Sequence, residues 1–204
     1  MGDKVKIIDS LHPQQVCSLL AVINGVKPST IVESVEVNMW RSFLSLVKSE
    51  GLAIAYKAYR GYAILTPKRE CFLIPHGRWR IFLKQPDLSL GHRCEIELVK
   101  PVSESGLDIG GVYVSRDLDT LFELIRLSES SVKDGDIVRR LGVVLGYPKC
   151  CIDKYIEEGA LKAWHRYLYS LIKEKMDKGV PPELWAIYHA PCSPKCKKIV
   201  KARA

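Results

Sequence analysis

Four cysteines and a histidine in the last third of the chain are the residues best suited to chemistry. They fall in two tight runs, Leu145-Gly146-Tyr147-Pro148-Lys149-Cys150-Cys151 and His189-Ala190-Pro191-Cys192-Ser193-Pro194-Lys195-Cys196. Each run reads as a loop feeding into a helix. Pro148 and Pro194 suit a first helical turn, where a missing N–H costs nothing, and Ser193 suits an N-cap. Cys150, Cys151 and Cys196 then lie in or near first turns, with Cys192 just outside one. Orphan amides and the positive end of the helix dipole favour thiolate there, the form that binds metal or attacks an electrophile.

Helical geometry separates the adjacent pair. With 100° between residues, Cys151 falls on the apolar arc with Ile152, Tyr155 and Ile156, while Cys150 shares the other arc with Asp153, Lys154 and Glu157. Cys151 therefore reads as a small buried hydrophobe and Cys150 as the outward thiol. His189, Cys192 and Cys196 have the spacing H-x2-C-x3-C, and Cys150 would complete a Cys3His zinc set. With Cys151 in place of the histidine, four thiolates could hold an iron–sulfur cluster. A disulfide, a vicinal disulfide or separate buried thiols remain open alternatives, as does a thiol–disulfide exchange protein.

The two runs resemble the paired Gly-Tyr-Pro-x-Cys-Cys and His-x-Pro-Cys-Ser-x-x-Cys motifs of an archaeal family of uncharacterised proteins with scattered bacterial relatives. The matching motifs span residues 141–196, about a quarter of the chain. The resemblance implies that these cysteines and His189 form a shared site; it implies no substrate.

Other residues read more plainly. Cys17, Cys71 and Cys94 sit singly in apolar runs and are expected to be buried, mutually distant and chemically silent. His165 shares a helix face with Leu161, Leu168 and Ile172, which suits a core-edge histidine. His76 and His92, beside Gly77 and Gly91, read as solvated loop residues. Arg78, Trp79 and Arg80 could stack and pair with nucleic acid, but a buried Trp79 is the simpler expectation. The glycine-rich run Gly106-Leu107-Asp108-Ile109-Gly110-Gly111 matches neither phosphate-loop pattern, and the serine-elbow and zinc-protease motifs are absent. Whether the chain is an enzyme stays open.

Composition sets the frame. The 204 residues are 47% apolar and 26% charged, far from a disordered composition. No apolar run approaches the ~18 residues of a membrane helix. The start, Met1-Gly2-Asp3-Lys4-Val5-Lys6, lacks a secretory apolar region and misses the myristoylation pattern. A soluble, cytoplasmic protein without a membrane partner is expected. Asn and Gln total five and Thr three, a depletion of thermolabile amides that points to a thermophile.

The net charge of +8 is uneven: residues 1–127 carry 16 basic and 14 acidic side chains, residues 128–204 carry 15 and nine. After Glu183 no acid follows, only Lys195, Lys197, Lys198, Lys201 and Arg203. Such an end could meet RNA or an acidic protein, or remain a solvated tail.

The elements that must position these residues follow from periodicity and punctuation. A helix is expected from Ser10 to Asn24, stopped by Gly25, and a second over 31–50, stopped by Gly51, with Val35, Met39, Phe43, Leu46 and Val47 on one stripe. Residues 52–60 and 62–66 read as a hairpin around Gly61; 71–74, 79–84, 93–99 and 111–115 read as further strands. Helices follow at 117–127, 134–145, 149–158, 160–178, 183–189 and 194–202. The class is α+β: N-terminal helices and an antiparallel sheet, then a helical C-terminal third carrying the cysteine cluster. The expected division is an α+β domain over 1–127 and a helical domain over 128–204.

Overall fold

The computed structural model describes residues 11, 13–103, 106–130, 134–159 and 162–163. His165, His189, Cys192, Cys196, the basic tail and most of the helices expected beyond residue 159 lie outside them.

Helix α1 (Pro13–Ile23) ends at Gly25, whose φ of +72° carries the chain into a turn. Strand β1 (Ser29–Glu36) follows, then α2 (Trp40–Ser49), the hairpin β2 (Ala53–Ala58) and β3 (Gly61–Leu65), and β4 (Cys71–Pro75). Helix α3 (His76–Lys84) leads to the short β5 (His92–Cys94) and the long β6 (Asp108–Ser115). Three helices then run in succession: α4 (Leu118–Ser128), α5 (Gly135–Val144) and α6 (Lys149–Glu158). The six strands form one antiparallel sheet in the order β1-β6-β2-β3-β4-β5. The chain is α+β, as its pattern implied.

Both faces of the sheet are covered. Ile54, Tyr56 and Ala58 of β2 join Leu19 and Val22 of α1 and Trp40, Phe43 and Val47 of α2 in one core. The alternate residues Ala53 and Ala55 join Trp79 and Phe82 of α3 and Leu121 and Ile125 of α4 in the other. The buried Tyr56 hydroxyl donates to Val99 O at 2.9 Å, so its burial leaves no orphan donor. Alternation breaks once, at Gly110-Gly111. Ile109 and Val112 both enter the first core although three residues apart, as do Val32 and Val35 opposite them. Gly111, at φ +65°, lets both strands change face while Val32 still pairs with Val112 and Val35 with Ile109.

Three expectations need correction. The helix over 31–50 divides: Thr30, Ile31, Val32 and Val35 lie in β1, and only Trp40–Ser49 is helical. The β-branched run prefers the pleated surface that β6 offers it. Residues 79–84 are not a strand but the end of α3. Trp79 and Phe82, three apart, are its buried pair, while Ile81 is 56% exposed, so the apparent alternation was accidental. The strand expected over 93–99 shrinks to His92–Cys94, followed by a 3-10 turn over Ile96–Leu98.

The helix boundaries of the last third fall where capping chemistry sets them. The Asp117 carboxylate accepts from Thr120 N at 2.8 Å to cap α4, and Asp134 accepts from Asp136 N at 2.8 Å to cap α5.

Candidate functional site around Cys150

The turn between α5 and α6 is held by a closed set of backbone bonds. Gly146 N donates to Val143 O at 2.9 Å and Tyr147 N to Gly142 O at 2.8 Å. With Gly146 at φ +75°, this is the paired 5→2 and 6→1 pattern that ends a helix on a left-handed glycine. Pro148 is the residue before the first helical turn of α6, one place earlier than its sequence position suggested. Its carbonyl accepts from both Cys151 N (2.8 Å) and Ile152 N (3.1 Å). The Lys149 and Cys150 amides precede that first intrahelical bond and add partial positive charge around Cys150.

Two glycines let α5 and α6 pack closely as an antiparallel pair. A Cβ on Gly142 would lie 2.7 Å from Ile152 Cγ1, and one on Gly135 would touch Ile156 at 3.8 Å. Arg139 Nε reaches Asp153 Oδ1 across the pair at 3.5 Å. Arg140 pairs with Glu123 of α4, tying the helical hairpin to the helix that lies on the sheet. Ser29 Oγ at the start of β1 donates to Val144 O at 2.7 Å, so the end of α5 is anchored to the sheet as well.

On this frame the two cysteines differ as the helical wheel requires. Cys151 is 2% exposed and lies with the buried Ile152, whereas Cys150 is half-buried. Among the described residues no group of three or more His, Cys, Asp or Glu could hold a metal ion. The meeting expected between Cys150 and the 189–196 segment lies outside the described residues, as do His189, Cys192 and Cys196 themselves.

One expectation about the remaining cysteines is overturned. Cys71 and Cys94 are neither distant nor silent: they are register partners on β4 and β5, 5.2 Å apart at Cα, and are joined in a disulfide. That separation lies within the range a disulfide needs. Sequence reasoning missed the pair because nothing in two isolated apolar runs reveals that they will pair as strands. The Cys17 side chain lies outside the described ones.

A second residue also escaped notice. Lys27, in the turn between α1 and β1, holds its ammonium 4.9 Å from the centroid of the Tyr147 ring, a cation–π contact with the cysteine motif. Burial alone lowers its pKa from the usual 10.5 to about 8. The sequence Val26-Lys27-Pro28 carries no signal of this, since its partner is more than a hundred residues away.

The possible nucleic-acid face at 78–80 is closed. Trp79 is 6% exposed and lies between Tyr62 (3.6 Å between centroids, nearly parallel) and Phe82 (5.2 Å). Arg78 donates to Leu90 O at 3.0 Å. His92 is exposed, and so is His76, but His76 opens α3 rather than a loop, its Nε2 3.3 Å from Tyr59 O. Among the described residues no helix is long and apolar enough to cross a membrane.

Residues 116–204 match a family described as Protein of unknown function (DUF483). The match begins where β6 ends, takes in α4, α5 and α6, and spans both cysteine runs; nearly all of the sheet lies outside it. No curated protein and no solved structure matches the chain.

Proposed function

We propose that the protein is a metal-binding protein whose helical C-terminal stretch, residues 128–204, holds zinc or an iron–sulfur cluster through Cys150, Cys192 and Cys196, with His189 or Cys151 as the fourth ligand. The observation that carries this reading is the posture of Cys150. It is half-buried on the first turn of a helix whose start is fixed by a glycine cap and a double-accepting proline carbonyl. A ligand on so rigid a support needs no reorganisation before it binds. Its sulfur belongs to a donor set of nitrogen and sulfur that suits zinc or iron.

Zinc would brace the last helices against α6; an iron–sulfur cluster would add an electron-transfer centre. Thiolates on one ion leave a negative site, and Lys149, Lys195, Lys197 and Lys198 flank the proposed ligands to offset it. On this reading the protein works in the cytoplasm of a thermophilic archaeon. A cross-link such as Cys71–Cys94 accords with that, because hyperthermophiles keep disulfides inside the cell.

Purification without oxygen, followed by metal analysis and a visible spectrum, tests the reading. Bound zinc or a cluster chromophore supports it. A metal-free protein that retains RNA with a steep salt dependence would favour instead an RNA-binding role for the basic tail.

A further inference from the structure

The turn at residues 24–28 is gripped from two sides. On one side Arg116 donates its backbone N–H to Pro28 O at 3.4 Å and lays its guanidinium against Gly25, where an added Cβ would meet Nη1 at 2.3 Å. On the other, Gly146 packs so closely that its Cβ would lie 2.9 Å from Pro28 Cδ and 3.5 Å from Lys27 Cα. Tyr147 then lies under the Lys27 ammonium. Neither Lys27 nor Arg116 has a carboxylate partner among the described residues. The other charged side chains on the adjoining segments are Asp117, which caps α4, and the exposed Lys149.

An ammonium withdrawn from water without an anion is held at a cost, and an aromatic face returns only part of it. Side chains kept against stability mark sites of function. We propose that Lys27 and Arg116 form a binding site for a small oxyanion, the phosphate or carboxylate group of a ligand bound at the turn between α1 and β1. The oxyanion supplies the missing countercharge. Lys27 contributes a point charge, and the Arg116 guanidinium contributes donors suited to two oxygens at once. The site needs nothing from the metal reading and stands apart from it.

Burial alone accounts for the low Lys27 pKa of about 8, so an arriving anion must raise it. The full chain, reductively methylated with carbon-13 on its lysines, would be titrated by NMR in inorganic phosphate, in acetate or in chloride at equal ionic strength. The Lys27 signal is assigned by its absence from Lys27→Arg. The expected result is proton binding at Lys27 about tenfold tighter in phosphate or acetate than in chloride; the stronger of the two identifies the ligand's group. Equal values in all three salts would overturn the site.

A second measurement uses stability. With a folded pKa below the unfolded one, the ammonium costs stability fully below pH 8, and the cost disappears above pH 10.5. Lys27→Met should therefore raise the folding equilibrium at pH 7, by at most about 300-fold, with the gain shrinking as pH climbs through that window. The variant should also lose any stabilisation by phosphate or acetate. A Lys27→Met protein less stable than the parent at pH 7, or one stabilised equally by the oxyanions, would contradict the proposal.

Discussion

The chain contains two close pairs of cysteines, and their surroundings give them opposite fates. Cys71 and Cys94 are 23 residues apart in sequence, yet β4 and β5 bring their Cα atoms to 5.2 Å and the two are cross-linked. Cys150 and Cys151 are adjacent in sequence, yet the helix sends one into the core and leaves the other half-buried. Neighbouring strands align side chains across the ladder; consecutive helical positions turn them 100° apart. Distance along the chain is thus a poor guide to which thiols act together. The sheet uses its pair as a staple, whereas the hairpin of α5 and α6 presents a single sulfur on a rigid mount.

The largest expected effect separates the two regions directly. Replacing Cys71 and Cys94 together by Ala should lower unfolding stability by about 3 kcal/mol, the loop-closure entropy of a ring this size. Denaturant titration of the variant and of the reduced parent should agree, and neither change should alter metal content. A loss of bound metal from the double variant would break the division between staple and site.

Next comes the hinge of the hairpin. Gly146→Ala must place a Cβ at φ +75° and 2.9 Å from Pro28 Cδ. Strain and crowding together should cost about 2 kcal/mol. The loss should appear in hydrogen exchange as earlier opening of α5 and α6 than of the sheet. Uniform loss across the molecule would mean that hairpin and sheet open as one unit.

Gly142→Ala probes the same hairpin more gently. Its Cβ would press on Ile152 at 2.7 Å, an overpacking that helix propensity partly offsets. The expected cost is about 1 kcal/mol, recovered by the added change Ile152→Val. No recovery in the double variant would show that the helices separate rather than repack.

The sequence was most legible where local chemistry decides. Asp117 and Asp134 announce the starts of α4 and α5, and Gly146 and Gly159 the ends of α5 and α6, because caps act within a few residues. It misled where a distant partner decides. Val32 and Val35 fit a helical stripe until β6 offers them a ladder, and Trp79, Ile81 and Leu83 alternate like a strand although Ile81 faces solvent. The outward thiol at Cys150 was readable from 100° geometry alone. The disulfide and Lys27 were not, since each depends on segments that meet only after folding.

The central claim, that Cys150 is a metal ligand and the stapled pair is not, is tested most directly by metal analysis of matched proteins. Parent, Cys150→Ser and Cys94→Ser chains would be purified without oxygen and assayed for zinc and iron per chain, with circular dichroism confirming that each is folded. The account predicts bound zinc or iron in the parent and in Cys94→Ser, and its loss from Cys150→Ser. Metal retained by a folded Cys150→Ser chain, or absent from the parent, would contradict it.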